Sequence, residues 1–180
     1  MKKLQLLMLA CMATLAGSAL AADLRPAGVF VQGGAAKDAT RTATVGAVWP
    51  WSWRRELWGG EATGVTELFL THWSARTADG RRSFTQLGGL PLLRYRFSGG
   101  QSPWFVEGGI GFSVMNPVYR TSQKEFSTHF NFVDVAGVGY SFGERRKHEL
   151  GLRFTHVSNG GIKHPNPGEN VLQLRYALMY

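Results

Sequence analysis

The sequence predicts an all-β protein, an eight-stranded antiparallel β-barrel of the outer-membrane type. Two observations predict this fold. Beyond residue 25, segments of about ten residues alternate apolar and polar side chains, as the strands of membrane barrels do, and glycine-rich turn clusters separate them. The chain also begins with an export segment, and no later stretch is apolar for long enough to cross a membrane as a helix. A membrane-spanning fold of this chain would therefore be a barrel.

The N-terminus has the pattern of a cleaved signal peptide. Lys2 and Lys3 precede an apolar run, and small residues then lead to an A-x-A site that ends at Ala21. We expect cleavage after Ala21. Residues 1–21 would then be the signal peptide, and residues 22–180 would form one barrel domain without repeats or linkers.

Cysteine and charge limit the possible functions. Cys11 is the only cysteine of the chain and lies in the export segment. The exported protein therefore has no disulfide, thiolate metal ligand or thiol nucleophile. The formal net charge of +8 falls to +6 when Lys2 and Lys3 leave with that segment. At an outer membrane the nearest anion is the phosphorylated head group of lipopolysaccharide. Charge alone does not choose between nucleic acid and lipopolysaccharide. For an outer-membrane location we expect lipopolysaccharide and membrane lipid as partners and no nucleic acid, and a homodimer stays open.

Eight strands fit between the export segment and the C-terminus. Ala78-Asp79-Gly80 marks the reversal between the third and fourth strands, and Ser98-Gly99-Gly100 marks the next one, because glycine and aspartate relieve the steric cost of tight turns. The run from Gly143 to Lys147 marks the reversal after the sixth strand. We predict strands at residues 27–35, 39–50, 59–75, 82–98, 103–116, 127–143, 147–158 and 170–180.

Alternation in the last two strands indicates which face meets lipid. Lipid contacts the outside of a membrane barrel, so the leucine and aromatic faces should point outward. A soluble β-sandwich or a lipocalin-like barrel would point them inward, and alternation alone does not separate these folds. Glycine on the opposite face favours a narrow membrane barrel. The faces expected to meet lipid carry Leu150, Leu152, Phe154 and His156 in the seventh strand and Leu172, Leu174, Tyr176, Leu178 and Tyr180 in the eighth.

The same alternation places charged residues inside the barrel. Arg153 and Arg175 lie on the faces opposite the leucines. An unpaired buried charge is costly, so these arginines need acidic partners. Glu107 and Glu67 are expected to supply them, because they lie on the inner faces of other strands.

A histidine and a serine at the end of the seventh strand form a candidate catalytic pair. His156 and Ser158 are two positions apart on one face, about 6.6 Å along the strand. An imidazole at that distance can take the proton of the serine hydroxyl and so activate it as a nucleophile. No G-x-S-x-G pattern surrounds Ser158, which excludes an α/β-hydrolase. The residues alone also allow a non-catalytic polar strand end.

The loop after this pair contains groups that can complete an esterase site. Asn166 and the amides of Gly160 and Gly161 can donate hydrogen bonds to an oxyanion. The carboxylate of Glu169 can hold the imidazole of His156. The same Asn-Gly-Gly and Pro-Asn-Pro-Gly residues are also ordinary turn formers.

This region resembles the lipid A 3-O-deacylases of the PagL type. Their pattern runs His-x-Ser-Asn-x-Gly-x-x-x-Pro-Asn near the C-terminus of an eight-stranded outer-membrane barrel. Weaker similarity extends backward to residues 103–111 and 130–132. Every fixed position of the pattern is filled in this chain, by His156, Ser158, Asn159, Gly161, Pro165 and Asn166.

The resemblance implies an outer-membrane enzyme that hydrolyses the ester at the 3 position of lipid A and releases a 3-hydroxy fatty acid. Carried over by position, Ser158 is the implied nucleophile and His156 the implied general base. Asn166 and the amide of Gly161 are the implied oxyanion hole, and Asn159 is implied to support the loop.

The acid of the implied site depends on how the loop is counted. Counting from the His-x-Ser pattern gives Glu169, and counting back from the C-terminal aromatic gives Asn170. We expect Glu169, because a carboxylate both orients the imidazole and stabilises its charged form. A Ser/His/Glu triad needs no metal or organic cofactor. His164 is a second candidate for the base.

The outward direction of His156 predicts that lipid reaches the site from the membrane. An acyl chain would lie along the apolar outer wall, and basic loop residues, Lys163 first and then Arg120 or Lys124, would hold lipid A phosphates. Two other hypotheses are a non-enzymatic barrel of the small OmpX-like kind and an acyltransferase that acts on the same lipid.

Overall fold

The computed structural model describes residues 25–180 and shows a closed, all-antiparallel barrel of eight strands, as the sequence predicts. Each strand pairs with the next, and β8 pairs with β1 to close the ring. The predicted signal peptide lies outside the described residues. No helix among residues 25–180 is long and apolar enough to cross a membrane. The strands are β1 Gly28–Ala35, β2 Arg41–Leu57, β3 Gly60–Thr77, β4 Gly80–Arg96, β5 Trp104–Asn116, β6 Phe130–Phe142, β7 His148–Ser158 and β8 Glu169–Met179.

The second strand is longer than the sequence predicts. The prediction ends it at Pro50, whereas β2 continues to Leu57. The pairing of β2 with β3 shifts register between Pro50 and Arg54. Proline has no N–H for the ladder, and such irregularities accommodate it within a strand. The proline therefore marks a local irregularity and not the end of the strand.

Apolar side chains point away from the barrel axis and polar side chains point toward it. On β7, half of the surface of Phe154 is exposed (50%), whereas the neighbouring Arg153 is almost fully buried (2%). A soluble barrel would show the opposite arrangement. The expected outward faces of the last two strands and the expected lumenal position of Arg153 and Arg175 are thus confirmed.

The lumen holds a network of ion pairs, which we call the lumenal ion cluster. Glu67 accepts hydrogen bonds from Arg153 at 2.7 and 2.9 Å and from Arg175 at 2.8 Å. Glu107 bonds Arg153 at 2.7 Å, as the sequence predicts. A cavity of about 20 Å³ remains beside the cluster, which is room for about one water molecule. The cluster consists of Glu67, Arg94, Glu107, Glu149, Arg153 and Arg175.

The two ends of the barrel differ in the length of their connections. Residues 117–129 and 159–168 connect strands at one end, whereas short turns and both ends of the described chain lie at the other. Outer-membrane barrels have long loops outside the cell and short turns in the periplasm. The loop of residues 117–129 also closes the outer mouth, because Tyr119 is fully buried and packs against Trp73, Phe84 and Phe126.

Candidate active site

The candidate catalytic pair lies at the external end of β7, on the outer face of the barrel. His156 is half-buried and continues the row of Leu152 and Phe154, and Ser158 is the last residue of the strand. The backbone N–H of Gly160 lies 3.5 Å from the Ser158 hydroxyl oxygen. Among residues 25–180 no hydrogen bond joins this hydroxyl to the imidazole. Proton transfer therefore requires side-chain rotation, as is common in enzymes without substrate.

The imidazole of His156 is held by the neighbouring strand β8. Its Nδ1–H donates to Oδ1 of Asn170 at 2.6 Å, and the two residues are direct partners in the β7–β8 ladder. This bond leaves Nε2 to accept a proton. Gly168 also lies against the ring: a Cβ atom there would be 2.6 Å from Cε1 of His156, and the residue has a φ of 63°. Glycine is therefore required at position 168, because a side chain there would collide with the imidazole and because the backbone has a positive φ.

Glu169, the expected acid, is not brought to the imidazole. Successive residues of a strand point to opposite faces, so Asn170 faces outward while Glu169 is fully buried on the inner side. The Glu169 carboxylate accepts hydrogen bonds from Lys124 Nζ at 2.9 Å and from the Tyr119 hydroxyl at 3.0 Å. Burial raises the pKa of the Tyr119 phenol, which keeps this donor neutral. Glu169 thus ties the loop of residues 117–129 to β8.

Replacing Glu169 by glutamine separates these two roles. We expect kcat to fall by less than about ten-fold, because the carboxylate does not contact His156, while the lost Lys124 contact lowers the free energy of unfolding by about 1–3 kcal/mol. Initial rates of ester hydrolysis and the denaturant midpoint of the purified variant test this. Glu125→Gln is the matched control, since Glu125 pairs with Arg120 at the exposed surface of the same loop. A thousand-fold loss of kcat at unchanged stability would instead identify Glu169 as the acid.

Asn159 organises the loop that follows the candidate nucleophile Ser158. It is 2% exposed, and its side-chain amide donates to Lys163 O at 2.7 Å and to Ser127 Oγ at 3.0 Å. Its Oδ1 accepts the backbone N–H of Gly161 at 2.9 Å. The loop-supporting role that the resemblance implies for Asn159 is consistent with these contacts.

The possible oxyanion donors are not all equally available. The backbone N–H of Asn159 donates to Oδ1 of Asn166 at 3.0 Å, which fixes Asn166 and leaves its Nδ2 to donate elsewhere. The amide of Gly161, an expected donor, is occupied by Asn159. The amide of Gly160 lies beside the Ser158 hydroxyl. Asn166 Nδ2 is therefore the donor that the loop offers without rearrangement, and the Gly160 amide, whose bond to Ser158 Oγ is the longer of the two amide bonds, is the next most available.

The basic residues of the external loops also differ in availability. Lys124 is paired with Glu169, and Arg120 is paired with Glu125. Lys163 lies at an exposed position of the loop after β7. Of the three residues expected to hold phosphate, Lys163 is therefore the one that carries no ion pair among residues 25–180.

Asp134 is a residue of this site that the sequence analysis missed. It lies on β6 as the direct ladder partner of His156, opposite Asn170. Asp134 is half-buried and Phe132, two positions before it, is the ladder partner of Ser158. The signal that could have found it is an aspartate among outward apolar residues of a barrel strand, because charge on a lipid-facing position is costly and marks function.

The comparisons with known proteins identify relatives of this chain. Residues 41–179 match the family model described as lipid A 3-O-deacylase (PagL). The chain is 32% identical over 136 residues to a lipid A deacylase PagL of Bordetella bronchiseptica, covering 73% of this chain and 71% of the relative. It is 31% identical over 181 residues to a lipid A deacylase PagL of Pseudomonas aeruginosa, covering 99% of each. The crystal structure of the outer membrane enzyme PagL is similar with a TM-score of 0.73 and 26% identity, covering 86% of this chain and 100% of that one.

Proposed function

This chain belongs to the lipid A 3-O-deacylase (PagL) family, and on that premise we propose that Ser158 and His156 perform its ester hydrolysis on the outer wall of the barrel. The protein is an outer-membrane enzyme that removes the acyl chain at the 3 position of lipid A. The observation that supports the proposed residues most directly is the position of the His-x-Ser pair at the external end of β7, facing outward.

The reaction proceeds in two steps. The Ser158 hydroxyl oxygen attacks the carbonyl carbon of the 3-position ester while Nε2 of His156 takes the hydroxyl proton. The bond between the carbonyl carbon and the sugar oxygen then breaks, and the imidazolium gives its proton to the departing sugar oxygen. Water attacks the resulting acyl-serine with His156 again as the base, which releases the 3-hydroxy fatty acid and restores the serine.

The remaining groups of the site stabilise the oxyanion and orient the imidazole of His156. Asn166 Nδ2 and the amide of Gly160 donate to the carbonyl oxygen as it becomes an oxyanion, and Gly161 joins them if its bond to Asn159 opens. Asn170 holds the imidazole through Nδ1, which leaves Nε2 as the atom that takes the serine proton. In this proposal Glu169 acts on the loop that carries Lys124 and not on the proton transfer.

Substrate reaches the pair from the membrane plane. Leu150, Leu152 and Phe154 lie below His156 on the same exposed face, so the acyl chain of a lipid in the outer leaflet lies along them. Lys163, exposed on the loop above, is placed to contact a phosphate of the head group as a point charge. The lumen is filled and takes no part in binding.

A mass spectrum of lipid A tests the reaction. We expect purified barrel and purified lipopolysaccharide to yield lipid A that is lighter by one 3-hydroxyacyl group, together with the free fatty acid. A gain of mass would indicate an acyltransferase, and unchanged lipid A would indicate a non-enzymatic barrel. Either result contradicts hydrolysis. Boiled protein in the same detergent is the control for spontaneous ester loss.

A further inference from the structure

His156 lies between an amide on one strand and a carboxylate on the other. Asn170 of β8 and Asp134 of β6 are its two direct ladder partners. Directly opposed residues of antiparallel strands have their Cβ atoms about 4.5–5.5 Å apart and share a face of the sheet. The imidazole is therefore flanked on both sides, and the two flanking groups differ in charge.

The amide partner alone leaves the imidazolium without a counter-charge. Oδ1 of Asn170 accepts the Nδ1–H bond and so fixes the tautomer, but an amide carries no net charge. When His156 takes the serine proton, a positive charge forms in a half-buried place beside lipid. In serine hydrolases a carboxylate both orients the imidazole and stabilises this positive charge.

Asp134 is placed to provide that charge. Its Oδ1 is buried and, among residues 25–180, accepts no hydrogen bond. A buried carboxylate oxygen without a donor is costly and calls for an explanation. A positive charge formed on the facing imidazole during each turnover supplies one.

The other charged groups near His156 are turned away from it or neutralised. On β8, Glu169 is directed to the inner side and paired with Lys124. The loop after β7 contributes Gly168 against the ring, and its Lys163 and His164 are exposed. β6 contributes Asp134 alone at this level of the ladder.

We infer that this chain divides the work of the triad acid between two strands: Asn170 orients the imidazole, and Asp134 stabilises its positive charge from the opposite side. Asp134 is thus a positioning residue that acts through His156. The inference rests on the proposed function of Ser158 and His156. It predicts that the charge, not the shape, of residue 134 controls proton transfer.

Asp134→Asn tests the inference in the purified full-length barrel. With p-nitrophenyl butyrate, an ester without a hydroxyl on its acyl chain, we expect kcat to fall by about 100-fold. The acid limb of the kcat/KM profile should move to lower pH, because an imidazole without a neighbouring carboxylate holds its proton less strongly. Asp134→Glu should keep the wild-type limb. Asp79→Asn, in the exposed β3–β4 turn, is the matched control.

A second substitution gives the inference a rescue test. Asn170→Glu places a carboxylate on the Nδ1 side of His156, and in the Asp134→Asn background it should restore at least about ten-fold of the lost kcat and return the acid limb toward higher pH. Restored activity in the double variant also shows that the barrel folds.

Three results would overturn the inference. They are an acid limb that does not move in Asp134→Asn, a double variant that stays as slow as the single one, and a loss confined to substrates with a 3-hydroxyacyl chain. The last would make Asp134 a substrate contact. Failure of the proposed function itself would be visible elsewhere, as full activity of a variant without the Ser158 hydroxyl.

Discussion

Replacing Ser158 with alanine is expected to abolish removal of the 3-position acyl chain, lowering kcat by about four to six orders of magnitude. In the proposed mechanism the hydroxyl oxygen forms the acyl-enzyme, and the side-chain amides of Asn166 and Asn170 are not nucleophiles that could replace it. The Ser158 hydroxyl accepts only the 3.5 Å hydrogen bond from the Gly160 amide, so the fold should tolerate the loss of this hydroxyl.

Lipid A from cells that produce each protein provides the measurement. The wild-type chain should yield lipid A that lacks one 3-hydroxyacyl group, and the Ser158→Ala chain should yield intact lipid A at equal amounts of folded barrel. Ser83→Ala, at an exposed position of β4, serves as the control and should retain full activity. Normal deacylation by Ser158→Ala would refute the proposed nucleophile.

The largest effect on stability is expected from Glu67→Gln in the lumenal ion cluster. The Glu67 carboxylate accepts two hydrogen bonds from Arg153 and one from Arg175, and all three side chains are at most 2% exposed. Glutamine keeps the volume but removes the charge, which leaves buried guanidinium groups short of a counter-ion. Breaking such a buried arrangement from one side costs about 3–5 kcal/mol.

Urea unfolding in detergent micelles, followed by heat-modifiable migration on gels, measures this loss. The control is Arg54→Ala, which removes a partner of Glu61 from an exposed pair at 3.6 Å and should cost less than about 1 kcal/mol. Unfolding of Glu67→Gln at the wild-type urea concentration would show that the cluster does not stabilise the barrel. Activity of the folded fraction should be unchanged, since the cluster does not contact the outer wall.

The barrel could be predicted because the two features that indicate it, alternation along each strand and turn-forming residues between strands, are local in sequence. A two-residue period fixes which side chains share a face, and Gly143 and Asp79 mark reversals through their own conformational preferences. Seven of the predicted strands therefore end within a few residues of the observed ones. Pro50 misled the prediction for β2, because the same residue marks a strand end in one context and an irregularity inside a strand in another.

Of the candidate site, the sequence predicted only the residues that lie on the same strand, β7. His156 and Ser158 follow from the period of β7. Glu169 and Asn170 are adjacent in sequence but lie on opposite faces, and a shift of one residue exchanges them. Which of the two reaches His156 depends on the pairing register of β7 with β8. The contribution of Asp134 depends in the same way on β6, so neither partner of the imidazole could be read from local pattern alone.

The filled lumen has a consequence for the permeability of the membrane that contains this enzyme. Because ion pairs occupy the barrel axis, the cavity beside them is about 20 Å³ and a loop packs into the outer mouth, we expect the barrel not to conduct ions. Insertion of the enzyme should then leave the permeability of the outer membrane unchanged while the surface lipid is remodelled.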